Sequence, residues 1–201
     1  ASVWEAERAL LALGSMSHGC YDFLVPHLAD LFLNLFLPAL SHAVPELRAI
    51  SAWTMSRYCD YCCEAGSLDQ PIFTLSRLLV EDASPKVQAA AASSLCAFAE
   101  AAGPGLQPFL ETILPAIEAA FERVGVRNRF ILCDLVGTVV EASGEMACGP
   151  KAAPLYLPYV VRLLLQLEDS DYYLFPVMEC LASVIPLAGA QFEPYTAATL
   201  T

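Results

Sequence analysis

The sequence predicts an all-α fold built as a stack of paired helices, and three observations carry that prediction. Apolar stretches with a helical period follow one another, and none alternates as a strand would. The breaks between them are short and fall mostly on Gly or Pro. Similar stretches also return at a near-constant interval. With Glu5, Leu47, Val87, Phe130 and Leu174 taken as equivalent, the steps are 42, 40, 43 and 44 residues.

Each element has its own justification. Trp4 to Gly19 is the first helix and Leu24 to Leu40 the second. Pro45 opens the third, Arg48 to Glu64, because proline suits a first helical position and no breaker follows. Ile72 to Val80 is the fourth. Pro85 opens the fifth, which runs to Ala102 and stops at Gly103-Pro104-Gly105. Leu106 to Val124, Asn128 to Ala142, Leu155 to Leu167 and Asp171 to Ala188 follow, and Phe192 to Leu200 begins another. The even-numbered helices are apolar with an early or internal proline (Pro26, Pro71, Pro108, Pro115, Pro158), whereas the odd ones carry small residues midway. A period of roughly 40–47 residues marks HEAT or armadillo repeats, and two helices per unit favour HEAT. The expectation is a HEAT-repeat α-solenoid, a right-handed superhelix of about five repeats over residues 1–201. It would start on a second helix, end in a new first helix and have no internal domain boundary, as a segment of a longer array.

Composition sets the bounds. The 201 residues are 57% hydrophobic and 16% charged, enough apolar material for a core and too little charge for a disordered chain. A formal charge of −12 makes direct nucleic-acid binding a poor fit and a basic ligand a good one. Mean hydropathy is +0.52, but the most apolar run, Phe23 to Leu40, contains Pro26, His27, Asp30, Asn34 and Pro38, so no membrane span is expected. Nor does the N-terminus read as a signal peptide. Eight cysteines sit mostly in apolar helical stretches, as free thiols in a reducing compartment do. Cys59-x-x-Cys62 has a metal-like spacing, but no second pair or spaced histidine joins it, so no metal or cofactor is expected.

No phosphate loop, nucleophile–base order or metal motif is present, and no enzymatic activity is expected. Two other features stand out. Ile50, Trp53 and Arg57 share a helical face, which serves either as a packing stripe or as a docking surface. Asp134 and Glu179 lie inside apolar helices, where a carboxylate must be paired or must face water. One reading is an Asp–Arg ladder between repeats, with Arg48, Arg127 or Arg129 as partners. The other is an acidic inner wall facing a basic ligand. Asp134 and Glu141 are seven apart on one face with Gly137 between them, and Ser93, Cys96 and Glu100 repeat that spacing one repeat earlier. Such a face suits an extended chain carrying arginines.

Four runs then carry a family resemblance: Trp53-Thr-Met-Ser-Arg-Tyr58, Lys86-Val-Gln-x-Ala-Ala91, Ile131-Leu-Cys-Asp-Leu-Val-Gly-Thr138 and Leu174-Phe-Pro-Val-Met-Glu-Cys-Leu-Ala-Ser-Val184. In their order and spacing the chain resembles the transportins (karyopherin-β2), nuclear import receptors of the importin-β superfamily. The resemblance implies a receptor that binds a disordered, basic cargo signal with an arginine before a Pro-Tyr pair, on its concave face. It places Leu11, Ile50 and Trp53 at the Pro-Tyr pair, Glu100 and Asp134 at the arginine, and Glu141 and Glu179 along the same wall. It also implies shuttling between cytoplasm and nucleus, RNA-binding proteins among the cargo, and contacts with Ran-GTP and nucleoporins through parts outside this chain. Glu141 stands where the family has a shorter Asp, and alanines flank Glu100 where the family is more acidic. The alternatives are a HEAT scaffold without a cargo role and a metal or redox protein using Cys59, Cys62 and Cys63.

Overall fold

A computed structural model describes residues 3–199, with Ala198's side chain left aside. The helices are α1 (Val3–Met16), α2 (Tyr21–Leu31), α3 (Leu37–Ala39), α4 (Pro45–Ser56), α5 (Cys59–Glu64), α6 (Asp69–Glu81), α7 (Pro85–Ala102), α8 (Leu110–Arg123), α9 (Val126–Ser143), α10 (Leu157–Leu164), α11 (Leu174–Ala188) and α12 (Thr196–Thr199). A π-helical turn, Phe32–Phe36, joins α2 to α3, and 3-10 turns lead into α8, α10 and α12. Strands are absent among the described residues.

These helices form two rows. The second helices, α1, α4, α7, α9 and α11, pack side by side in chain order. The first helices, α2, α6, α8 and α10, cover them on one side, with α6 and α8 in close contact. The core between the rows is continuous, from Leu10 and Phe36 through Phe98 and Phe121 to Tyr156 and Val184. The stretches Tyr21–Ala39 and Leu174–Gln191 have the length and hydropathy of a membrane span; in this fold α11 packs on α9 and α10.

Local chemistry explains where the second helices start and stop. Pro45 and Pro85 fill first-turn positions after extended residues. α7, α9 and α11 end at Gly103, Gly144 and Gly189, with φ of 49°, 62° and 49° and ψ near −130°, a conformation essentially restricted to glycine. Polar ties join the repeats. Arg48 grips Asp82 through Nε–Oδ2 (2.6 Å) and Nη2–Oδ1 (2.8 Å), and Asn128 Nδ2 donates to the Pro85 carbonyl (2.8 Å).

Three expectations need correction. The helix expected from Arg48 to Glu64 is divided at Arg57–Tyr58. Tyr58 is fully buried, and its hydroxyl donates to the Leu13 carbonyl on α1, so the chain turns there to seat the ring. The repeat register also differs. α7 and α9 are both 18 residues long, and their burial patterns coincide when Val87 is matched to Asn128. Phe130 is two residues past that match; it is itself buried, but the position matching Val87 is held by polar Asn128, which an apolar pattern passes over. At the end of the chain, Phe192 to Leu200 is divided into the 3-10 turn Glu193–Tyr195 and the short α12, and Leu200 lies outside the described residues.

Candidate functional site

The corrected register puts the predicted residues in order. Trp53 on α4, Ser93 on α7, Asp134 on α9 and Glu179 on α11 occupy the same position in successive second helices, and all four are exposed. Asp134 and Glu179 each stand ten residues before the glycine that ends their helix, as Ser93 does. Glu100 and Glu141 form a second row, each three residues before its glycine, and both are exposed. One solvent-facing surface therefore carries an indole and four carboxylates.

At the apolar end, Trp53 leans on α1. Gly14 is buried, and a Cβ there would come within 2.3 Å of indole Cζ3 and 2.9 Å of Cη2. The missing side chain is the seat of the ring. Leu11 lies one helical turn before Gly14 and Ile50 one turn before Trp53, so the four share a patch. Leu11 is 48% and Trp53 36% exposed, and Ile50 is half-buried. Arg57 is drawn to the end of α1, where Nη2 meets His18 Nε2, and lines a polar cavity of about 450 Å³ with Ser17, Tyr21, Asp60 and Glu64.

The acidic end carries unbalanced charge. Asp134 reaches solvent, yet burial first and the Glu179 carboxylate second raise its pKa above the ordinary carboxyl value. Among the described residues, no cation stands at ion-pair distance from Asp134, Glu179, Glu100 or Glu141. Of the two readings, the Asp–Arg ladder does not reach Asp134: Arg48 pairs with Asp82 on the loop between α6 and α7, and neither Arg127 nor Arg129 is at ion-pair distance from Asp134. Lys and Arg are missing from α7 after Lys86, from α9 after Arg129 and from all of α11. Between the rows, burial pushes the Cys96 thiol up to about 12; a Thr138 hydrogen bond opposes the shift, and the Asp134 and Glu100 charges add to it. Those two carboxylates thus act on one spot.

Sequence reasoning missed Gly14 and Ser183. The Ser183 hydroxyl on α11 donates to Glu141 Oε1 (2.6 Å) and so ties α11 to α9. Glycine inside a helix is a recognisable signal of close approach, whereas the Ser183 bond had no signal at all. The Cys59 and Cys62 thiols are raised to about 11 and about 12, in both cases chiefly by burial. Metal ligation needs thiolates, and no group of three or more potential ligands is gathered among the described residues.

An α-solenoid whose second helices present an acidic row beside a seated indole is the class of molecule this geometry defines. No family model matches the chain. It is 33% identical over 204 aligned residues to importin subunit beta-2 of Schizosaccharomyces pombe, covering 98% of this chain and 22% of that protein. It is 32% identical over 193 residues to human transportin-1, covering 94% and 21%. The crystal structure of Kap121p superposes over 100% of this chain and 20% of its own length, with a TM-score of 0.84 at 19% identity. The chain belongs to the karyopherin-β superfamily, with a HEAT-repeat fold, and spans about a fifth of the relatives it matches. Those relatives bear the names of transport proteins, not enzymes.

Proposed function

We propose that this segment is the part of a nuclear import receptor that holds a basic, extended cargo signal on the concave, second-helix face. Leu11, Ile50 and Trp53 take an apolar pair of the Pro-Tyr kind, stacked on the indole. Glu100 and Asp134 take an arginine through charge-assisted, two-pronged hydrogen bonds, with Glu141 and Glu179 extending the acidic track. The observation that carries this reading is the exposed row Trp53–Ser93–Asp134–Glu179, whose carboxylates have no cation at ion-pair distance among the described residues. The receptor as a whole would shuttle between cytoplasm and nucleus, carry RNA-binding proteins among its cargo, and meet Ran-GTP and nucleoporins outside this segment.

The test is a fluorescence titration of the full-length protein with a labelled Pro-Tyr signal peptide. Trp53→Ala should weaken binding by roughly 1–3 kcal/mol, the range for a central aromatic anchor. Unchanged affinity discards the anchor. No binding by the unaltered protein favours a HEAT scaffold without a cargo role.

A further inference from the structure

We infer that a separate subsite, where α8 ends, α9 begins and α10 passes, takes the carboxylate of an acidic peptide from a partner protein. Charge points there first. Of ten Lys and Arg residues in a chain of formal charge −12, Arg123, Arg127, Arg129 and Arg162 belong to this corner. A cavity of about 50 Å³ opens in it, lined by Glu122, Arg129, Tyr159, Arg162 and Gln166. That space admits a group of a few heavy atoms, since about 10–15 Å³ suffices for one water.

The arginines are unspent. Among the described residues, Arg129 Nε is buried without an acceptor, and neither Arg129 nor Arg162 has a carboxylate at ion-pair distance. Arg48 shows the satisfied alternative, with its fork on Asp82 and Nη1 on the His42 and Ala43 carbonyls. A buried guanidinium N–H without an acceptor is costly, and an arriving oxyanion removes that cost. The surrounding frame is already fixed. The Tyr159 hydroxyl donates to Glu122 Oε1 (2.7 Å), its ring stacks on Phe121 with centroids 5.2 Å apart, and the Arg162 guanidinium lies 5.8 Å above that ring.

Size decides between oxyanions. Doubling the ligand's charge doubles its attraction to the arginines as well as its repulsion from Glu122, so charge alone makes no choice. A cavity of about 50 Å³ suits a small planar carboxylate better than a bulkier tetrahedral phosphate. The ligand is therefore an Asp or Glu side chain, and the acidic second-helix face gives such a peptide no competing site.

The experiment measures anisotropy of three labelled octapeptides on the full-length protein: one rich in Glu, its Gln counterpart and its phosphoserine counterpart. The Glu peptide should bind best. Arg129→Gln and Arg162→Gln should each weaken it on the order of tenfold, the loss of one charge-assisted pair, and flatten its salt dependence. Binding of a basic Pro-Tyr peptide should stay unchanged, which separates this site from the cargo face. Should Arg129→Gln fail to fold by circular dichroism, the exposed Arg162 carries the test alone. Equal binding of the Gln peptide, tighter binding of the phosphoserine peptide, or indifference to Arg162→Gln overturns the assignment.

Discussion

The Trp53 indole occupies the space that a side chain on Gly14 would fill, with ring carbon Cζ3 only 2.3 Å from where a Cβ would stand. One residue's absence thus fixes the other's pose. Gly14→Ala should displace the ring while leaving the helices folded. Alanine would otherwise stabilise a helix interior by about 1 kcal/mol relative to glycine, so a net fall in stability shows that the clash wins. Tryptophan emission should shift, and Pro-Tyr peptide affinity should fall by roughly 1–3 kcal/mol, as for loss of the anchor. An unchanged titration would show that the anchor needs no seat.

Asp134 should make folding depend on pH in an unusual direction. Its folded pKa is raised, by burial and then by Glu179. The folded state therefore holds this proton more tightly than the unfolded one, and stability declines as pH rises from the ordinary Asp range through the raised value. Asp134→Asn should remove that decline. Thermal melts across pH 3–7 (roughly spanning the carboxylate range) check it, and identical slopes for both proteins refute it.

The same substitution should act on ligands by charge. Asp134→Asn is expected to cost affinity for arginine-bearing signals, and more at low salt, where screening is weak. Titrations at two ionic strengths give the answer. Equal loss for a peptide without arginine would assign the effect to structure.

Asp82 should behave in the opposite sense to Asp134. Burial pushes its pKa up, but the Arg48 hydrogen bond, the Ser84 N–H and the Arg48 charge together hold it below the ordinary value. Its contribution is present above the unfolded pKa and fades as pH falls through the folded one. Asp82→Asn should cost roughly 2–3 kcal/mol at neutral pH, less than the figure for a wholly buried pair, and little in acid. Urea melts at pH 7 and pH 2.5 (roughly either side of the carboxylate range) provide the comparison.

Much of this was legible in the chain. Helical period, glycine stops and the forty-residue recurrence gave two-helix repeats, and the acidic positions came from carboxylates set in apolar helices. Three things were hidden, each for a physical reason. The break at Arg57–Tyr58 has no Pro or Gly; it comes from burying Tyr58 against a carbonyl 45 positions earlier. The register at Phe130 misled because the buried position that matches Val87 is held by polar Asn128, which an apolar pattern passes over. The choice between an arginine ladder and an open acidic wall depended on where Arg48, Arg127 and Arg129 reach, and that reach is tertiary.

The glycine stops have one more consequence. Because they level the ends of α7, α9 and α11, Glu100 stands beside Glu141 and Asp134 beside Glu179 on neighbouring helices, while Asp134 and Glu141 are seven residues apart along α9. Seven residues along a helix cover about 10.5 Å, and adjacent helices lie about 8–10 Å apart. An extended strand advances about 3.3 Å per residue and alternates its side chains between two faces, so same-face side chains two or four apart, about 6.6 or 13 Å, bracket those intervals. On the proposed reading, such a surface selects the interval between positive charges and leaves the residues between them free.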